Sequence, residues 1–126
     1  MDYANGAEAR PDFGLLCYPV ISLRPPYGHL GSGKNLLGDS PDENLLTRLC
    51  LETRVHPSTP PCFLWHTAED RGVLPDNSFA FCSALGAHSV PYELHVYEKG
   101  GHGLGLKTDY PWPDDFIRWM KNRGLL

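Results

Sequence analysis

The sequence predicts an α/β protein, a short parallel sheet of about three strands alternating with helices that pack on it. Three observations lead there. Apolar runs alternate with stretches of helical spacing, in the order strand, helix, strand, helix, strand, helix. A length of 126 residues suits a single domain, residues 1–126, large enough to bury a core and too short for two. No internal repeat, low-complexity tract or linker divides it. Alternation of this kind entails right-handed crossovers, so the strands run parallel.

The elements follow in order. "DFGLLCYPVI", Asp12 to Ile21, is a nearly unbroken apolar run, the pattern of a strand covered on both faces. The proline-rich "SLRPPYGHLGSGKN" that follows reads as a long loop. Within it, Gly28 to Asn35 approaches the G-x-x-x-x-G-K-[ST] phosphate loop, but Asn35 stands where the magnesium-binding hydroxyl belongs. Such a loop also needs a strand running directly in and a helix starting directly out, so that backbone N–H groups converge on the anion. Here Ser22 to Tyr27 intervene, with two prolines, and the next strong helix start is Ser40. A glycine-rich surface loop is the better reading.

"SPDENLLTRLCLET" has a full helix-start signature, with Ser40 as N-cap, Pro41 at the first position and Glu43 closing a capping box. Leu45, Leu46, Leu49 and Cys50 form its apolar stripe. "PPCFLWHT", Pro60 to Thr67, is a second strand, and "NSFAFCSALGAH", Asn77 to His88, sets Phe81, Cys82 and Leu85 at helical spacing. "PYELHVYEKGG" alternates Tyr92, Leu94 and Val96 with Glu93, His95 and Tyr97, a strand with one better buried face. "WPDDFIRWMKNRG" is a last helix, acidic in its first turn, basic in its last and ended by Gly124.

Composition narrows the function. A formal charge of −4 and a pI near 5.8 offer no basic field for a nucleic acid, and the 11 Lys and Arg are scattered. No apolar run is long enough to span a membrane, and "MDYANGAEARPDFG" lacks the features of a signal peptide, so a cytoplasmic protein is expected. Cys17, Cys50, Cys62 and Cys82 sit singly in apolar runs and are expected to be reduced, buried thiols. His29, His56, His66, His88 and His95 read as isolated residues without ligand spacing, so neither a metal nor a cofactor is expected. Trp65, Trp112 and Trp119 read as core.

The chemistry concentrates after the second and third strands, because functional groups of parallel sheets collect in the loops leaving the strands' carboxyl ends. "WHTAEDRGVLP" puts Glu69 and Asp70 just past one strand, and "YEKGGHGLG" puts His102 just past the next. Glycines flanking His102 permit tight turns, so the imidazole can stand at the rim of the sheet. A carboxylate and then a histidine, each after its own strand, match the latter part of the Ser, Asp, His order of α/β-hydrolases. In that arrangement the carboxylate fixes the imidazole tautomer while the other ring nitrogen takes a proton from a serine hydroxyl.

The chain resembles the C-terminal half of an α/β-hydrolase of the acetyl-xylan esterase and prolyl-oligopeptidase-like type, related to dienelactone hydrolases. The resemblance rests on "PDFGLLCYPVIS", "GSGKNLLG", "PPCFLWHTAED", "DNSFAFCSALGAHSVPYELHVYEKGGHGLGL" and "WMKNRGLL". It implies a three-layer αβα arrangement, a partial α/β-hydrolase fold, with the triad acid on Asp70 and the base on His102. Glu69 is the alternative acid, because the family's proline soon after the acid is delayed here to Pro75. The resemblance implies no phosphate role for Gly28 to Asn35.

The G-x-S-x-G nucleophile elbow that the family carries on an earlier strand does not occur in the 126 residues. Ser32 has Leu30 and Lys34 where the outer glycines belong, and no cysteine has an elbow's neighbours. An acid and a base alone supply little acyl transfer, so this chain by itself is expected to be inactive or nearly so. Completed by a serine-bearing N-terminal half-chain, it would act on acetyl or other short acyl esters, including acetylated carbohydrate. The alternative is a non-catalytic protein that associates, as a homodimer or with a partner, through the exposed edge of the strand Phe13 to Ile21.

Overall fold

The computed structural model describes residues 10–126. In chain order the elements are β1 (Gly14–Cys17), α1 (Leu30–Leu37), α2 (Glu43–Arg48), a 3-10 turn (Leu51–Thr53), β2 (Cys62–Thr67), α3 (Asp76–Ala87), β3 (Tyr92–Tyr97) and α4 (Trp112–Asn122). The strands form one parallel sheet in the order β1-β2-β3, as the alternation predicts. Among the described residues no helix is long and apolar enough to cross a membrane.

All six residues of β2 are buried, because it is the central strand and has helices on both faces. Its period of two divides them. Cys62 and Leu64 face α3 and join Ile21, Val55, Phe81, Cys82, Leu85 and Val90 in the main core cluster. Burial in this cluster pushes the Cys82 thiol up to about 12. Phe63 and Trp65 face α4, where Phe63 meets Phe116 and Trp119 edge-on and Trp65 stacks on Trp112 with centroids 5.2 Å apart. The result is the expected three-layer arrangement, with the three tryptophans in or beside the aromatic layer and Gly124, at φ +69, ending α4.

Several expectations need correction. The first strand shrinks from Asp12–Ile21 to four residues, because Tyr18 adopts φ +41 and Pro19 has no N–H to continue the ladder. The expected long loop contains α1, whose N-cap is the His29 side chain accepting from the Ser32 N–H at 3.1 Å. The second helix starts two residues later than its signature suggests: Asp42, not Ser40, is the N-cap, and Glu43 pairs with Arg24 instead of closing a capping box. No residue of that helix is buried, and the leucine stripe buries only Cys50 beyond its end.

In β3, Leu94 packs on the α3-side cluster while Tyr92 and Val96 are exposed; Glu93 and His95 on the other face meet Arg118 and Asp115 of α4. All four cysteines are free thiols, but Cys17, on the edge strand, is half-buried instead of buried.

Candidate active site

Parallel register decides where the two chemical loops emerge. Thr67 at the end of β2 lies opposite Tyr97 at the end of β3, so the loops that follow leave the sheet side by side. The Thr67 hydroxyl donates to Gly100 O at 2.8 Å and ties them together. Two glycines allow the close approach. A Cβ on Gly72 would stand 3.1 Å from the His102 Cβ, and Gly100, at φ +120, would drive one to 2.7 Å from Leu104 Cδ1.

Asp70 is 1% exposed. Its Oδ1 accepts the backbone N–H groups of Gly72 at 2.9 Å and Val73 at 3.0 Å, and its Oδ2 lies 2.8 Å from His102 Nδ1. Burial pushes the Asp70 carboxyl up, but the Val73 N–H, His102 and the Gly72 N–H together outweigh it and hold it below the ordinary aspartate range. An ionised carboxylate only accepts, so His102 Nδ1 carries the proton and donates. The Nε2 lone pair is then free, on a side chain 41% exposed. A neutral imidazole oriented by a buried carboxylate, with its second nitrogen open to solvent, can accept a proton from an incoming hydroxyl or water. Tyr18, just past β1, sets its ring edge-on to His102 with centroids 4.9 Å apart.

Glu69, the alternative acid, turns the other way. It accepts from Lys99 Nζ at 2.9 Å and from Gly100 N at 3.3 Å, and Lys99 and then the Gly100 N–H hold its carboxyl below the usual range. The structure therefore brings together Asp70 and His102 and leaves Glu69 in a surface ion pair.

Two side chains at the site escape the sequence reading. His66, read there as isolated, is fully buried with Nε2 3.3 Å from Asp70 Oδ2. The available signal was strand alternation, which sets it on the α3 face with Cys62 and Leu64. Tyr18 had no signal, since a residue drawn inside a strand gives no hint of a positive φ. The Gly28 to Asn35 segment stands apart: the His29 ring takes the Ser32 N–H at the start of α1, and the adjoining cavity is lined by Leu23, Leu30, Gly33 and Leu46 among others, with no residue of the Asp70 and His102 pair.

Comparison with known proteins agrees with this architecture. Residues 40–123 match the model of the prolyl oligopeptidase family. The chain is 41% identical over 108 residues to endo-1,4-beta-xylanase B of Butyrivibrio fibrisolvens, covering 86% of this chain and 17% of that protein. It is 30% identical over 125 residues to an acetylxylan esterase of Xylanibacter ruminicola, covering 91% of this chain and 26% of that one. Among solved structures, an acetyl ester-xyloside bifunctional hydrolase from Caldicellulosiruptor lactoaceticus superposes with a TM-score of 0.89 at 45% identity, over 93% of this chain and 44% of the other. The chain thus spans about a quarter or less of the length of the curated relatives it matches. The three strands among the described residues, with their helices, are part of an α/β-hydrolase fold.

Proposed function

Because this chain belongs to the prolyl oligopeptidase family of α/β-hydrolases, we propose that it supplies the acid, Asp70, and the base, His102, of a Ser-Asp-His triad that hydrolyses carboxylic esters. The observation that carries the reading is the 2.8 Å hydrogen bond from an exposed imidazole to a buried carboxylate. The serine comes from outside these 126 residues, which contain no G-x-S-x-G. His102 Nε2 takes the serine proton as the oxygen attacks the acyl carbonyl, then gives it to the departing alcohol. In the second half-reaction Nε2 takes a proton from water, whose oxygen attacks the acyl-serine, and returns it to the serine as the acid leaves. Asp70 stays ionised throughout and stabilises the imidazolium. The relatives' descriptions as acetylxylan esterase and acetyl ester-xyloside hydrolase favour acetyl or short acyl esters, including acetylated carbohydrate, as substrates.

The test is a hybrid in which this chain replaces the matching part of the Caldicellulosiruptor hydrolase. The folded hybrid should hydrolyse p-nitrophenyl acetate and take one fluorophosphonate per molecule, both abolished by His102→Ala, while the chain alone takes none. A folded hybrid without activity, or one indifferent to His102→Ala, overturns the reading.

A second reading, a non-catalytic protein that associates through a strand edge, is favoured by one observation. Among the described residues β1 pairs only with β2, leaving its outer edge unpaired and Leu15 36% exposed. Light scattering distinguishes them: a concentration-dependent homodimer supports this reading, and a strict monomer removes it.

A further inference from the structure

We propose that His66 is a positioning residue for Asp70, a buried imidazole that holds the carboxylate in the orientation His102 requires. The inference rests on the reading of Asp70 and His102 as acid and base.

Strand alternation sends His66 to the α3 face of β2, where it is 0% exposed. Both of its nitrogens have partners. Nδ1 lies 2.8 Å from the hydroxyl of Ser78, the third residue of α3, and Nε2 lies 2.9 Å from Val73 O and 3.3 Å from Asp70 Oδ2. Val73 O is a carbonyl and Asp70 is held ionised, so both can only accept, and the proton must sit on Nε2. A neutral ring then presents a lone pair at Nδ1, which accepts from the Ser78 hydroxyl. Ser78 is itself fully buried, so no water competes for that bond.

Two consequences follow for the acid. Val73 is gripped at both ends, its N–H by Asp70 Oδ1 and its carbonyl by His66 Nε2, which fixes the turn that carries the carboxylate. Asp70 itself receives three donors, the Gly72 and Val73 N–H groups on Oδ1 and the His102 ring N–H on Oδ2, while His66 Nε2, bonded to Val73 O, stands 3.3 Å from Oδ2 and adds an electrostatic contact there. Rotating the carboxylate would disturb all of these at once. A chain of polar contacts, Ser78 to His66 to Asp70 to His102, thus runs from the buried face of α3 to the rim. Second-layer hydrogen bonds of this kind set the geometry of the groups that react.

The experiment is proton NMR of the histidine rings in the 126-residue chain, with circular dichroism to establish that each variant is folded. The wild type should show one strongly deshielded, slowly exchanging ring proton from His102 Nδ1, lost in Asp70→Asn. His66→Leu, which removes the Nε2–H, should also lose it. His66→Gln, whose amide can donate from the same place, should retain it. Ser78→Ala removes the hydroxyl that anchors the His66 ring at Nδ1 and should broaden or weaken the signal; it carries the test if His66→Leu fails to fold. An unchanged signal in folded His66→Leu, or in folded Ser78→Ala, overturns the proposal. So does equal loss in folded Leu and Gln variants, which would make the ring a packing element only. A signal absent from the wild type, or indifferent to Asp70→Asn, overturns instead the acid-base reading on which the proposal stands.

Discussion

At the start of α1 and at the rim of the sheet a histidine Nδ1 lies 2.8 Å from an oxygen, and of these two regions only the second is built like a reactive site. At the start of α1, His29 Nδ1 meets the Ser32 hydroxyl three residues away. At the rim, His102 Nδ1 meets Asp70 Oδ2 across 32 residues. The His29 ring also takes the Ser32 N–H, so its partners all come from one turn and the contact forms whenever the helix forms. The Asp70 carboxylate is buried, is held by backbone donors from its own loop, and meets an imidazole delivered by a different strand. A local contact satisfies the helix that makes it, whereas a long-range pair has a geometry imposed from outside and leaves a nitrogen free for chemistry.

Catalysis is where this contrast is most easily broken. In the ester-hydrolysing hybrid, Asp70→Asn should lower kcat by about 10³- to 10⁴-fold, because the tautomer is no longer held. His29→Ala should leave kcat essentially unchanged. Comparable losses in steady-state assays would erase the distinction between the two regions.

Stability gives the next largest effect. Asp70→Ala leaves the Gly72 and Val73 N–H groups short of an acceptor and removes the partner of His102 Nδ1, and should cost about 3 kcal/mol in urea unfolding. Asn77→Ala should cost about 2–3 kcal/mol, since its buried amide accepts from Ile21 N and Ser22 N and donates to Tyr27 O and Leu74 O. Asn77 ties the segment leading to α1 onto the start of α3, so its loss should also raise amide exchange in residues 21–37 while sparing the His102 loop. Loss of the His29 cap should cost only about 1 kcal/mol.

Acid sharpens the comparison more gently. The Asp70 carboxyl lies below its ordinary value in the folded protein, so its contribution is complete above the unfolded value of about 3.9 and disappears as pH falls through the lowered folded value. Stability of the wild type should therefore decline more steeply below pH 4 than that of Asp70→Asn, measured as denaturation midpoint against pH. Equal slopes would mean that the carboxylate is not favoured by its partners.

The smallest effect concerns the neighbouring carboxylate. Glu69→Gln removes an exposed pair with Lys99 and should change neither hybrid kcat nor unfolding midpoint measurably. A large drop in kcat would transfer the acid's role from Asp70 to Glu69.

The legible parts of the fold are those whose signals are local. β2, α3, β3 and α4 stand close to where periodicity puts them, because an apolar run or a 3.6-residue stripe survives packing when both faces find partners. α1 was hidden because "LGSGKN" has poor helix propensity; it forms with a histidine as its cap and with Gly33 packed closely enough that a Cβ there would lie 3.5 Å from the Leu23 Cβ. The Ser40 signature misplaced α2 by two residues because Asp42 is an equally good cap, and it is the Asp42 carboxylate that accepts the Leu45 N–H.

At the site, Asp70 and His102 were legible because each follows a strand in glycine-rich or polar sequence. His66 was not, since a histidine inside an apolar run looks the same whether its nitrogens have partners or not. Local pattern alone was enough to mark β2, α3, β3 and α4, to make the sheet parallel, and to single out the loops that hold Asp70 and His102. The tertiary structure alone decided that Asp70 and not Glu69 meets His102, and that His66 and Ser78 stand behind it. The reason is physical: periodicity and caps act within a turn or two of chain, whereas those contacts depend on the register of Thr67 against Tyr97 and on how α3 sits over β2.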